Sequence, residues 1–201
     1  MAVLVIGASG HVGTAALAAL SKSHEIIGVG RSTDPGVDIT DPESIRRLFD
    51  TVGHVDAVVV SAGTVPFGPV VDLTREDYLD AFHGKVLPQL DVVRIGVPFV
   101  RDRGSFTLTS GITAREPVPE GAAAALANGA LESFVVAAAT ELPRGIRINV
   151  VSPTVLEGTE EFYDAFPGFN HVSTSAVGRA FLKSVDGVQT GQVYALDGDD
   201  A

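Results

Sequence analysis

Apolar residues in this chain fall in short unbroken runs separated by amphipathic stretches. Residues 2–6 (AVLVI) and 56–60 (DAVVV) are continuous or nearly so, as strands covered on both faces should be. Residues 25–29 (EIIGV), 105–109 (SFTLT), 146–151 (IRINVV) and 192–196 (QVYAL) read as further strands, and 37–39 (VDI) as a short additional one. Between them, 14–23 has helix-forming composition. Residues 41–52 open with an Asp cap and Pro at the first helical position, and set Ile45, Leu48 and Phe49 on one face. A long helical pattern covers 75–100, where Pro88 and Pro98 should kink or split it. Two more helices are predicted at about 120–142 and 174–184, whereas 152–172 has Pro, Gly and aromatics without a period and reads as a loop or lid.

Strands alternating with helices predict an α/β fold: a Rossmann-like, doubly wound, mostly parallel sheet with helices on both faces. The link 30–36 is too short for a parallel crossover, so a crossover helix is missing at that point. No repeat or linker divides the chain, and 201 residues suit one domain over 1–201.

Composition narrows the partners. With 25 acidic and 14 basic residues the formal charge is −11, which repels phosphate backbones and anionic lipid, so neither nucleic acid nor membrane is expected. There is no Cys, which excludes disulfides and thiolate metal sites, and His24, His54 and His171 show no ligand spacing; no metal site is expected. The first ten residues have neither a basic region nor an apolar run of signal or membrane length, and a cytoplasmic location is the default expectation.

Candidate chemistry begins at residue 7. GASGHVG places Gly7, Gly10 and Gly13, with Ser9, His11 and Val12 between them, where a strand meets a helix N-terminus; such a turn lets backbone approach a pyrophosphate and offers it free N–H groups. His11 itself reads as a variable surface position. At the end of the second strand Arg31 and Ser32 stand where an acidic residue would hold the ribose 2′-hydroxyl of NAD. A guanidinium there suits a 2′-phosphate, which predicts NADP(H).

These segments together resemble the short-chain dehydrogenase/reductase family from end to end. The glycine turn resembles that family's cofactor turn, and Asp38 in DITD, with Ile39, resembles its adenine contact. Ser61, Ala62 and Gly63 resemble its Asn-Ala-Gly segment, with Ser in the Asn place, and GIRINVVSP (145–153) resembles the segment that brings Pro153 to the cofactor, with Thr154 replacing a Gly. The family's helix between its second and third strands is what this chain lacks.

The resemblance also implies an active site that this sequence alters. Family members carry a Tyr as general acid or base, a Lys on the same helix face that lowers its pKa, an earlier Ser that polarises the carbonyl, and an Asn on the preceding long helix. Matching NGALESFVVAAATEL (128–142) puts Asn128 in the Lys place, Ala124 in the Tyr place and Gly111, beside Ser110, in the Ser place; Lys85 falls in the Asn place, with His83 a poorer match. None of Tyr78, Tyr163 and Tyr194 has a Lys four residues on. Asn and Lys have exchanged helices, and Lys85, Ser110 and Asn128 are the catalytic candidates, with Lys85 also a cofactor contact.

A general acid contributes about 10²–10⁴-fold, so loss of the Tyr slows carbonyl reduction without forbidding it. Three classes follow: an atypical NADP(H)-dependent oxidoreductase on a small carbonyl or alcohol, with Lys85, Ser110 or Tyr163 handling the proton; a silent NADP(H)-binding sensor or scaffold; or a non-redox enzyme on the same fold. Glu160, Glu161 and Asp164 read as a solvated lid face, while Phe162, Tyr163, Phe166 and Phe169 suggest an apolar or ring-bearing small-molecule substrate. The long helices carry surplus apolar residues, and the family pairs through them, which implies a homodimer or homotetramer.

Overall fold

The computed structural model describes residues 1–198. Six strands form one parallel sheet in the order β2-β1-β3-β4-β5-β6, where β1 is Ala2–Ile6, β2 Glu25–Val29, β3 Val55–Val60, β4 Val100–Thr109, β5 Arg147–Pro153 and β6 Val193–Leu196. The order reverses between β1 and β3. At such a switch point the chain leaves the carboxyl ends of adjacent strands in opposite directions and opens a crevice there.

Helices α1 (His11–Leu20) and α6 (Thr174–Asp186) cover one face of the sheet, packing Ala15, Ala16, Leu20, Val177 and Phe181 onto Val3, Val5 and Val59. Helices α2 (Pro42–Val52), α4 (Leu87–Gly96) and α5 (Ala122–Ala138) cover the other, with Ile45, Leu48, Phe49, Val92, Leu131 and Val135 against Leu4, Val58, Phe106 and Ile148. The central strands are buried on both sides, which is why they read as continuous apolar runs. Helix α2 starts as its sequence predicts: Asp41 accepts from the Glu43 amide and Pro42 takes the first turn.

Three expectations are corrected. Residues 37–39 form no strand. Val37 only returns its amide to the Gly30 carbonyl, so 30–40 is a loop and β2 is the sheet edge; without a third strand there, no crossover is needed. The 75–100 pattern is split rather than kinked, into α3 (Arg75–Ala81), a π-turn over Phe82–Val86, α4, and a 3-10 turn over Val97–Phe99, and the first break comes ahead of Pro88 rather than at it. Pro88 sits in the first turn of α4, where its missing N–H costs nothing, and Pro98 lies in the 3-10 turn. Strand β4 begins at Val100, five residues before the apolar run; a register shift between Val55 and Ala57 and positive φ at Arg103 accommodate its polar start.

The 152–172 segment has little regular structure beyond the end of β5, as its composition predicts. It contains a 3-10 turn over Glu160–Ala165 and an isolated parallel bridge between Leu156 and Val172. Among the described residues no helix is long and apolar enough to cross a membrane, and no group of three or more His, Asp or Glu could hold a metal ion.

Candidate active site

The crevice at the switch point is a cavity of about 330 Å³ lined by the turn after β1 (Gly7, Ser9, Gly10), the loop after β2 (Gly30, Arg31, Val37, Asp38, Ile39, Thr40) and the segment after β3 (Ser61 to Thr64). It brings together nine of the predicted cofactor residues. His11, Val12 and Gly13 stand just outside on the first turn of α1, and Ser32, Lys85 and Pro153 are not among its walls, although Gly84 is. Ile6, Gly30, Val37, Thr40, Thr64 and Gly84 were missed by the sequence reading; all but Gly84 flank the C-terminal ends of β1, β2 and β3, the position that marks a crevice in a parallel sheet.

The glycine turn is built so that side chains cannot enter it. Gly7 has φ +83°, and a Cβ there would lie 2.8 Å from the Ser61 carbonyl oxygen; one at Gly13 would meet the Gly7 oxygen at 2.1 Å. The Ser61 hydroxyl pins the turn by donating toward the Ile6 and Gly7 carbonyls at 3.0 and 3.2 Å. Helix α1 starts at Gly10 without a side-chain cap, so its first amides face the crevice mouth unoccupied by protein. At the far wall Asp38 accepts from the Thr40 hydroxyl and amide at 2.7 and 2.9 Å, which holds its carboxyl below the usual carboxylate range, with Arg31 adding a smaller effect.

The inner end is formed by the π-turn. Its extra residue places Lys85 against Gly63, where a Cβ would sit 2.8 Å from the Lys85 Cγ, and carries Nζ to within 3.2 Å of the Ser110 carbonyl at the end of β4. Burial pushes the Lys85 pKa down to about 8. Ser110 does not face the crevice with its hydroxyl. That group donates to Glu132 of α5 at 2.9 Å; Ser152 donates to the same oxygen at 2.7 Å, and Arg115 pairs with it and with the Ser152 hydroxyl. This cluster, whose two hydroxyls are buried while Arg115 reaches solvent, was not anticipated.

Asn128 is buried on α5 and donates to the Thr113 hydroxyl at 2.8 Å, while its Oδ1 has no partner among the described residues. Ala124, one turn earlier, is 1% exposed and packed in the core. Gly111 lies beside Asn128: a Cβ there would approach Nδ2 to 3.0 Å. The lid meets the glycine turn, since Glu161 lies 3.3 Å from the His11 imidazole and Phe162 packs edge-on to that ring. Tyr163 accepts from the Gly158 amide and stacks on His171, so it ties the lid to itself. Of the remaining histidines, His24 approaches Asp186 at 2.9 Å and His54 packs near Phe99.

A glycine turn, a cation at the end of β2 and a crevice at the β1/β3 switch are the features of a dinucleotide-binding sheet. The family model described as enoyl-(acyl carrier protein) reductase matches residues 11–196. The chain belongs to the short-chain dehydrogenase/reductase family. Among curated family members, a short chain dehydrogenase of Passalora fulva is 33% identical over 135 residues, covering 63% of this chain and 49% of its own. A versicolorin reductase of Emericella nidulans is 31% identical over 60% of this chain and 48% of its own. The chain thus spans about half the length of these family members.

Solved structures of similar size extend the likeness to the whole chain. The protein lin1944 from Listeria innocua superposes with a TM-score of 0.94 at 45% identity, covering 97% of this chain and 98% of its own. A small-chain dehydrogenase in complex with NADPH superposes with a TM-score of 0.85 at 26% identity, covering 98% and 97%.

Proposed function

We propose that this protein is an NADP(H)-dependent oxidoreductase that interconverts a small carbonyl compound and its alcohol. The single observation that carries the reading is the crevice between β1 and β3, whose glycine cradle a Cβ would fill and whose outer wall presents Arg31. The amides of α1 and the backbone of 7–13 would hold the diphosphate, Arg31 and Ser32 the 2′-phosphate, Asp38 and Ile39 the adenine edge, and Ser61 to Gly63 with Pro153 the inner half. When bound, the dinucleotide supplies or accepts the hydride. The chain's part is to orient it, exclude water and hold a proton. The NADPH complex of the 26% identical small-chain dehydrogenase supports the same choice of cofactor.

Fluorescence titration with both reduced cofactors tests this reading. NADPH is expected to bind more tightly than NADH, and Arg31→Ala to weaken NADPH by about 10- to 100-fold, the value of one charge-assisted phosphate contact. NADH binding should not change. Equal affinities for the two cofactors, or an Arg31→Ala variant that binds NADPH as the parent does, would overturn it.

A second reading, a cofactor-binding sensor or scaffold without turnover, is favoured by one observation: Ala124 is sealed in the core and the Ser110 hydroxyl is committed to Glu132, so neither offers the usual proton or carbonyl contact. Tight NADPH binding with no oxidation of it by any carbonyl would select this reading.

The functional unit is proposed to be a homodimer or homotetramer. Leu79, Leu87, Leu126 and Val136 on α3, α4 and α5 are exposed apolar residues on the long helices, which supports assembly through them. Light scattering at micromolar concentration should give at least twice the monomer mass, and a monomeric mass would refute the assembly.

A further inference from the structure

We propose that Lys85 gives up and takes back the proton at the substrate oxygen, replacing the tyrosine that position 124 lacks; the proposal rests on the oxidoreductase reading above. Four observations converge on this residue. It sits on the one π-turn among the described residues, the kind of helix irregularity that commonly marks a functional site. Its stem lies against Gly63, at the inner end of the cofactor crevice, in space that a side chain at position 63 would fill. Nζ reaches the end of β4, where one of its three donors meets the Ser110 carbonyl and the other two have no partner among the described residues. No carboxylate among the described residues pairs with it, in contrast to Arg94, Arg101, Arg115 and Arg144, each of which has an acidic partner.

The surroundings leave this amine to be governed by burial alone. The ionisable groups on the elements packed against this turn are Arg75, Glu76, Asp77, Tyr78 and Asp80 on α3, His83 on the turn itself, Asp91 and Arg94 on α4 and Glu132 on α5, with Arg115 beyond β4. None is within hydrogen-bonding or ion-pairing distance of Nζ, and Arg115 and Glu132 pair with each other. Desolvation therefore makes the ammonium a readier acid than an ordinary lysine.

In the reductive direction the carbonyl carbon receives the hydride, the C=O electron pair moves onto oxygen, and that oxygen takes a proton from the Lys85 ammonium. The amine left behind is reprotonated by water. The oxidative direction runs the same transfers backward, so the neutral amine removes the alcohol proton. The two directions therefore need opposite protonation states, and the sign of the pH dependence follows. Carbonyl reduction falls as pH rises through about 8, and alcohol oxidation rises over the same interval.

The test combines a readout of the amine with a readout of turnover. Competitive labelling with isotopic acetic anhydride, followed by mass spectrometry from pH 6 to 11, should half-modify Lys85 near pH 8, below the ordinary lysine range. With 1-phenyl-1,2-propanedione, phenanthrenequinone and cyclohexanone as probes, the parent should oxidise NADPH. Lys85→Met should lose at least about 100-fold of that rate at saturating NADPH while melting as the parent does. Lys85→Arg, which keeps the charge but cannot release a proton, should fail likewise. The proposal is overturned by half-modification of Lys85 in the ordinary lysine range, by a Lys85→Met that turns over like the parent, or by a parent that binds NADPH but reduces none of the probes. A parent that does not bind NADPH at all would instead overturn the cofactor reading, which the titration detects separately.

Discussion

Gly13→Ala should abolish cofactor binding and lower the melting temperature by roughly 5–10 °C, because the added Cβ would lie 2.1 Å from the Gly7 carbonyl oxygen and 2.8 Å from the Ser61 hydroxyl. Neither neighbour can withdraw cheaply. The Gly7 oxygen accepts the Gly10 amide, and the Ser61 hydroxyl is the bond that ties the turn to β3. Relief requires α1 to move away from the sheet, which opens the diphosphate cradle and separates Ala16 from its buried contacts. Gly129→Ala is the matched control. Position 129 is also helical, but no atom lies within 4 Å of an added Cβ, so the better helix former should raise stability by about 1 kcal/mol and leave cofactor binding alone. Differential scanning fluorimetry with and without NADPH separates the two; a Gly13→Ala protein as stable as the parent and still shifted by NADPH would show that the turn is slack.

Glu132→Leu should cost about 2–3 kcal/mol, mainly the penalty for leaving two buried hydroxyls without their acceptor, since the Arg115 guanidinium can fall back on water. One carboxylate oxygen receives Ser110, Ser152 and Arg115, and both hydroxyls are buried, so the substitution leaves two donors and a guanidinium without their acceptor at the ends of β4 and β5. Glu132→Gln should lose less, since its amide oxygen still accepts from a hydroxyl. Urea unfolding of the three proteins measures this directly. Equal midpoints for the parent and Glu132→Leu would mean that the cluster is solvated rather than structural.

How much of this could be read from the sequence depends on how far apart in the chain the determining residues lie. The strands were legible because the sheet is covered on both faces and each run is apolar throughout, and α2 was legible because Asp41 and Pro42 fix its start locally. The glycine turn and Arg31 were legible because strand, turn and helix follow one another without a gap, and the crevice forms around them. Residues 37–39 misled because three apolar-leaning residues look like a strand wherever they occur, while pairing needs a neighbour within reach. The Glu132 cluster was not legible, since its members come from three separate segments and meet only once β4, β5 and α5 are packed. Equally, nothing local in His11 or Glu161 announces that the lid rests on the glycine turn.

The π-turn at Phe82–Val86 also fixes a phase relation along the whole α3 to α4 segment. An α-helix turns about 100° per residue, so one additional residue lets both halves keep their apolar faces toward the sheet while aiming the residues inside the bulge in a direction that a regular helix would not allow. Ala81 and Val86 stay in the core on either side, and Lys85 between them points along the loop after β3 instead. The direction of that lysine is consequently a property of residue number as much as of residue type: removing one residue from the bulge would regularise the helix, turn everything on one side of it by about a quarter of a revolution, and exchange a functional direction for a merely stable one.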